Sequence, residues 1–280
     1  MKDFRFEHFK TVYDFDKAMK ERAINPSMER VVDYNGSRNL NNSKWYQTKS
    51  YEEAQELLEN GWNAKIGDMK KELEKFSISI TRERTVQYKN YAGFVPCIPN
   101  AIRGVPKTMY ATKKVKTNKE KALHIVLNST GGASNEGDVL MNAGLTVLKL
   151  SMVLNKIGIK TKIDVIPFMT FKGDSYYGCS VNIKDYRQPF NLSKMAYPIA
   201  HTSFFRRHGF RFMETQEVDV EKFVSTYGTP VYAAEEKDKK EYLKYCGILD
   251  KGVVYIDLKD IKKANFDPFK LAELKDIQIK

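Results

Sequence analysis

Cysteine is scarce in this chain. Three residues in 280, Cys97, Cys179 and Cys246, stand far apart, odd in number and without a CxxC pair. That excludes a disulfide framework and a cysteine-based zinc site, and a reducing compartment is expected. The four histidines, His8, His124, His201 and His208, show no HExxH or HxH spacing, so no local metal motif is present. No apolar run approaches about 18 residues free of charge, so no transmembrane helix is expected. Asp3 and Glu7 stand where a signal peptide would be apolar. These readings together place the protein in the cytoplasm with no membrane partner. Internal repeats and low-complexity segments are also lacking.

What the chain has in surplus is positive charge: 47 Lys and Arg against 35 Asp and Glu, a net charge of +12 and a pI near 9.3. Such a field attracts nucleic acid, anionic lipid or an acidic protein. Because the basic residues extend along the chain, simple solubility explains them as well. The apolar fraction of 42%, with 16 Tyr and 16 Phe, suffices for a hydrophobic core. Length fits one large domain or two smaller ones. The pattern suggests an α+β region over 1–120 and an α/β domain over 121–280.

Residues 1–30 read as amphipathic helix, and Asn35–Ser43 as a turn-rich loop. Ser50-Tyr51-Glu52-Glu53 is a capping box opening a helix that stops at Asn60-Gly61. A second helix follows over Ile66–Phe76. Ser77–Thr81 and Thr85–Tyr88 alternate as strands. Three prolines make Phe94–Pro106 a rigid crossing, and 107–121 reads as a lysine-rich linker with room for one strand.

The clearest unit comes next. Leu123–Asn128 is a short apolar strand, Ser129–Gly137 a Gly/Ser/Asn loop, and Asp138–Ile157 a helix apolar on most of its surface. Gly158 ends the helix, and Ile159–Phe168 forms the next strand. This is a βαβ unit with parallel strands. Further on, Ser180–Tyr186 reads as a strand and Leu192–His208 as a helix. Val218–Tyr227 and Glu235–Tyr245 read as helices, and Val253–Asp257 as a strand. The fold class expected is α/β: a mostly parallel, Rossmann-like sheet with flanking helices plus the α+β N-terminal region.

The loop after the first parallel strand is the best candidate site, since open α/β sheets bind ligands at the C-terminal ends of their strands. Asn128, Thr130, Gly132 and Ser134 are its candidate ligand or metal residues. The alternative is a plain connection in which Ser134 or Asn135 caps the helix. The loop is not GxxxxGK[ST], which argues against a nucleotide P-loop. Strand, loop and long helix resemble the core of a von Willebrand factor A domain. That family holds a divalent cation through an Asp-x-Ser-x-Ser loop. The matching positions here read Asn128, Thr130 and Gly132. A hard cation wants charged oxygens, so the resemblance implies at most a degenerate cation loop and no other cofactor. Three longer segments, Ser50–Trp62, Val95–Met109 and Ala200–Phe210, resemble an uncharacterised family of bacteriophage proteins, which implies a phage gene product in a bacterial host.

His201–Phe212 interleaves Arg206, Arg207 and Arg211 with Phe204, Phe205, Phe210 and Phe212. This alternation suits single-stranded nucleic acid or phosphate. It equally describes an amphipathic segment whose Phe residues are core and whose Arg residues pair with acids such as Glu214. A His201–Cys179 nucleophile pair has no local signature behind it; a buried structural Cys179 is expected. His124 reads as a core residue, and Asp164 and Asp257 as carboxylates in or at the ends of strands. No catalytic residue is assigned. The readings that remain are a non-enzymatic binding protein acting on a host or phage protein, as a counter-defence or takeover inhibitor would; a nucleic-acid-binding protein of phage replication or packaging; and an enzyme for a phosphorylated small molecule at the 128–138 loop.

Overall fold

Phe4, Phe6 and His8 alternate with Arg5, Glu7 and Phe9, and Asp3–Phe9 is a strand, β1, where a helix was expected. The helix begins only after Thr11, whose hydroxyl accepts from Asp14 N–H at 3.0 Å: α1, Val12–Glu21. The structure is a computed structural model that describes residues 3–74, 83–116, 121–172, 175–217, 236–248 and 252–277. The expected strand at 77–81 and helix at 218–227 lie outside them.

The remaining helices of the first 76 residues are α2, Glu29–Val32, α3, Ser43–Tyr46, α4, Tyr51–Asn60, and α5, Ile66–Glu74. The capping box of α4 is half formed. Ser50 Oγ accepts from Glu53 N–H at 3.3 Å, but the Glu53 carboxylate accepts from Lys49 N–H at 2.6 Å, one residue further back. Gly61 closes the helix at φ 88°.

Contacts divide the chain into two compact units, 1–76 with 122–279, and 77–121. The smaller holds β2, Glu83–Asn90, β3, Val95–Pro96, α6, Ile98–Ile102, and β4, Met109–Lys116. Its strands form an antiparallel sheet in the order β2-β4-β3.

The larger unit contains β5, Lys121–Asn128, α7, Gly137–Lys156, β6, Ile159–Lys172, and β7, Ser175–Lys184. Next come α8, Leu192–Ala200, a π-helical segment at Phe204–Gly209, and α9, Phe210–Glu214. The described chain ends with α10, Glu236–Tyr245, β8, Val253–Ile256, α11, Leu258–Lys263, and α12, Pro268–Leu274. The sheet order is β1-β7-β6-β5-β8. It is mixed and mostly parallel. β1 pairs with β7, and β5 with β8, in parallel, whereas β6 and β7 are antiparallel. That departure from an all-parallel reading has a simple cause. Lys172 is the register partner of Ser175, and so short a connection leaves no room for a crossover helix.

Period two divides the sheet. Ile125, Leu127, Ile163, Val165, Cys179 and Val181 face the main core with α7, α8 and the π segment. Val126, Ile166 and Tyr255 face a smaller cluster with Cys246 and Ile248, just after α10. Helix α7 is long and apolar enough by composition to cross a membrane, yet 72% of its most apolar window is buried in the protein. Leu145, Val147, Leu148, Leu150, Val153 and Leu154 pack there. Each contributes roughly 1.5–3 kcal/mol of burial.

Candidate functional site

The loop between β5 and α7 lies where an α/β sheet opens toward a ligand, but its polar groups are already engaged. Asn128 Oδ1 accepts from Thr130 N–H at 3.0 Å and from Thr130 Oγ1 at 2.6 Å. Asn128 Nδ2 donates to Tyr255 Oη at 2.8 Å. Asn128 and Thr130 are both buried, whereas Ser134 is exposed. The N-cap position of α7 is Glu136, whose side chain makes no capping bond, so neither Ser134 nor Asn135 caps the helix. Asn135 instead accepts from Lys262 Nζ at 3.0 Å. A cavity of about 30 Å³ remains, lined by Asn128, Thr130, His201, Thr202 and Phe205 among others. That holds about one or two waters and no nucleotide. Burial pushes His201 down to about 4, with His208 adding to the shift, so its ring is neutral. Its Nδ1 accepts from Ser203 N–H at 3.3 Å. Among the described residues no hydrogen bond joins it to Cys179, whose thiol burial pushes well up.

Of the arginines expected to meet nucleic acid, only Arg206 touches this loop. Arg206 and Arg207 are both 0% exposed. Arg206 donates to Trp45 O at 2.5 Å, to Gly132 O at 3.3 Å and to Asn135 O at 2.7 Å, and its guanidinium stacks 3.7 Å from the Trp45 ring centroid. Arg207 donates to Thr48 Oγ1, Thr48 O, Ser37 O and Asn39 O at 2.7–3.0 Å and lies over Tyr46. Neither reaches solvent, where a phosphate backbone would run. Arg211 is half-buried and donates to Arg22 O at 3.4 Å. Glu214, the acid proposed to pair with them, accepts instead from Ser37 N–H at 2.7 Å and from Ser37 Oγ. Ser37 therefore links guanidinium to carboxylate, its C=O accepting from Arg207 and its N–H donating to Glu214. Among the described residues neither Arg206 nor Arg207 forms an ion pair with a carboxylate, and burial pushes Arg206 down to about 9. These side chains tie 36–48 and 129–137 to the π segment. The π segment lies behind this: it buries three consecutive polar side chains, Arg206, Arg207 and His208.

The opposite sheet face carries a polar row that the sequence reading had assigned to separate core and strand-end roles. His124 Nε2 pairs with Asp164 Oδ2, and Asn182 Nδ2 donates to Asp164 Oδ1 at 2.9 Å. All three are buried, on β5, β6 and β7. Nearby on the same face His8 Nδ1 meets Ser180 Oγ at 2.8 Å. Asp164 is thus a carboxylate within a strand, partnered inside the protein by His124 and Asn182. Asp257 is the N-cap of α11, with a full capping box to Asp260. The signal for this row was the period of two that puts His124 beside Val126 and Asn128 on one face of β5. Among the described residues no three His, Cys, Asp or Glu side chains converge as a metal site.

The smaller unit concentrates two features. Residues 77–121 hold ten Lys and Arg against two acids, +8 of the chain's +12. Seven of the eleven large hydrophobic residues exposed among the described residues lie between 88 and 105, including Tyr91 at 68% and Phe94 at 57%. Lys113 Nζ lies 5.2 Å from the Tyr88 ring centroid and Lys107 Nζ 5.9 Å from that of Tyr91.

Compared with known proteins, the chain matches over residues 5–264 the model of a domain of unknown function, DUF7192, and belongs to that family. No curated protein and no solved structure matches it.

Proposed function

We propose that this member of the DUF7192 family is a phage-encoded, non-enzymatic binding protein. It acts on a macromolecule of the host or the phage in the bacterial cytoplasm, and its larger unit serves as scaffold. The observation that carries this reading is the closed rim after β5. Thr130 bonds to Asn128 and Asn128 to Tyr255, Arg206 occupies the carbonyls of Gly132 and Asn135, and the pocket lined by Asn128, Thr130 and His201 has only about 30 Å³. A ligand pocket of ordinary size is about ten times larger. The buried guanidinium on the loop also opposes a divalent cation at the Asn128, Thr130 and Gly132 positions. The von Willebrand A-like reading of β5, loop and α7 supports the same role, since such cores are commonly adhesive. The phage setting is supported by the resemblance of Ser50–Trp62, Val95–Met109 and Ala200–Phe210.

Thermal denaturation with Mg²⁺, Mn²⁺ and a panel of nucleotides and sugar phosphates tests it. No stabilisation is expected. A ligand held at one hundred times its dissociation constant stabilises by about 2.7 kcal/mol, and a rise of that size would sink the non-enzymatic reading.

A further inference from the structure

We infer that the small β unit, residues 83–116, is a platform for single-stranded nucleic acid, with aromatic rings for the bases and lysines for the phosphates. The inference rests on the binding-protein reading above and names the partner.

Three observations converge on it. The first is charge: the +8 of residues 77–121 is concentrated in 45 residues, as a polyanion partner requires. The second is exposure. Tyr88 at 37%, Tyr91 and Phe94 present rings to solvent, and Lys89, Arg103, Lys107 and Lys113 are exposed beside them in sequence or across the sheet. Stacking on such rings tolerates any base, because every base has a π-face. The third is register. Tyr88 pairs with Ala111 and Val86 with Lys113, so Tyr88 and Lys113 share one face of the β2–β4 ladder as diagonal neighbours. Lys113 over the Tyr88 ring sets a cation within reach of the phosphates of a strand whose bases stack on the exposed rings.

The platform is also pre-organised. Phe94 N–H donates to Tyr110 O at 2.9 Å. A Cβ added at Gly93 would overlap the Tyr110 backbone, so only glycine lets the 91–94 turn lie this close to β4. Lys89 Nζ donates to Asn100 Oδ1 at 3.2 Å, and Asn100 Nδ2 to Lys107 O at 3.1 Å, which ties α6 and its flanking turn to the sheet. An acidic protein would answer the charge, but it has no need of lysines set against aromatic faces.

The test is fluorescence anisotropy of the full chain with labelled oligo-dT, the matching RNA and a duplex of equal length. Single strands are expected to bind more tightly than duplex, with affinity falling steeply as salt rises. Tyr88→Ala and Tyr91→Ala, both at exposed positions, should each weaken binding about tenfold with unchanged circular dichroism. Lys113→Gln should lower the log–log salt slope by about one. The inference is overturned by no binding at low salt, by equal affinity for duplex, or by unchanged affinity in a Tyr88/Tyr91/Phe94 triple alanine variant. Absence of binding would leave an acidic protein as the partner, equal duplex affinity a nucleic-acid binder that reads only charge, and an unaffected triple variant a site elsewhere; each leaves the broader reading intact. Stabilisation by a small phosphorylated ligand would strike that broader reading instead.

Discussion

Arg207 makes four hydrogen bonds, to one hydroxyl and three carbonyl oxygens, from a guanidinium with no exposed surface. Only a planar fork with fixed donor directions reaches Thr48, Ser37 and Asn39 at once; an ammonium on a flexible stem cannot. Arg207→Lys should therefore cost about 2–4 kcal/mol, chiefly through buried carbonyls left without donors. The check is a urea titration, in which the midpoint falls while the slope is unchanged. A loss below about 0.5 kcal/mol would mean that the site is hydrated and the carbonyls find water. Glu214→Gln probes the other end of the same relay. The amide turns a donor toward Ser37, which already offers two donors, N–H and Oγ–H. A loss of about 1–3 kcal/mol is expected in the same titration.

At Gly144, helices α7 and α8 approach through their backbones. A Cβ built on Gly144 would overlap Ala200 and the Ile199 carbonyl. Gly144→Ala must push the helices apart around Thr202, which donates to Gly137 O at 2.8 Å. We expect a loss of about 1–3 kcal/mol, although alanine favours the helix itself. A thermal melt that leaves the variant as stable as the parent would refute the close approach. At this scale the βαβ core was legible, because an apolar run, a small-residue bend and a helix apolar nearly all round admit few other arrangements. Strand β1 was not. Its alternation of Phe4, Phe6 and His8 is short, and the amphipathic pattern of α1 runs on directly behind it. The end of α8 was not legible either. Pro198 lacks an N–H and His201 is extended at ψ 126°, so the helix expected through His208 stops and resumes as a π turn. Within the candidate site, alternating Arg and Phe read the same whether the arginines face a phosphate or a carbonyl. Only the tertiary approach of residues 37–48 separates the two. The lysines of 107–121 were visible as a run, but Arg82, Arg84, Lys89 and Arg103 join them only once the small unit is seen as a unit.

For the molecule as a whole, two buried imidazoles contribute to the response to acid. His208 lies among the rings of Phe15, Tyr51, Tyr197 and Phe204, and His201 against Trp62 and Tyr197. Burial pushes both down from 6.5 to about 4; around His208, Asp16 opposes the shift while Arg207 and Lys20 add to it. Between pH 6.5 and 4 the unfolded chain binds protons at these positions that the folded chain refuses. Stability therefore rises with pH through that window and is independent of these groups above it. Falling from pH 7 to pH 4, each histidine should withdraw about 3 kcal/mol, a large share of a typical domain's margin. Urea midpoints measured at pH 7, 5.5 and 4.5 should decline accordingly. His208→Phe, which keeps a ring among the aromatics and binds no proton, should shallow the decline while leaving the pH 7 value within about 1.5 kcal/mol. An equally steep decline in that variant would place the acid sensitivity elsewhere. It would also mean that His208 is hydrated in the folded chain, which would undo the close packing of α4 against the π segment through Ala54 O and the His208 ring.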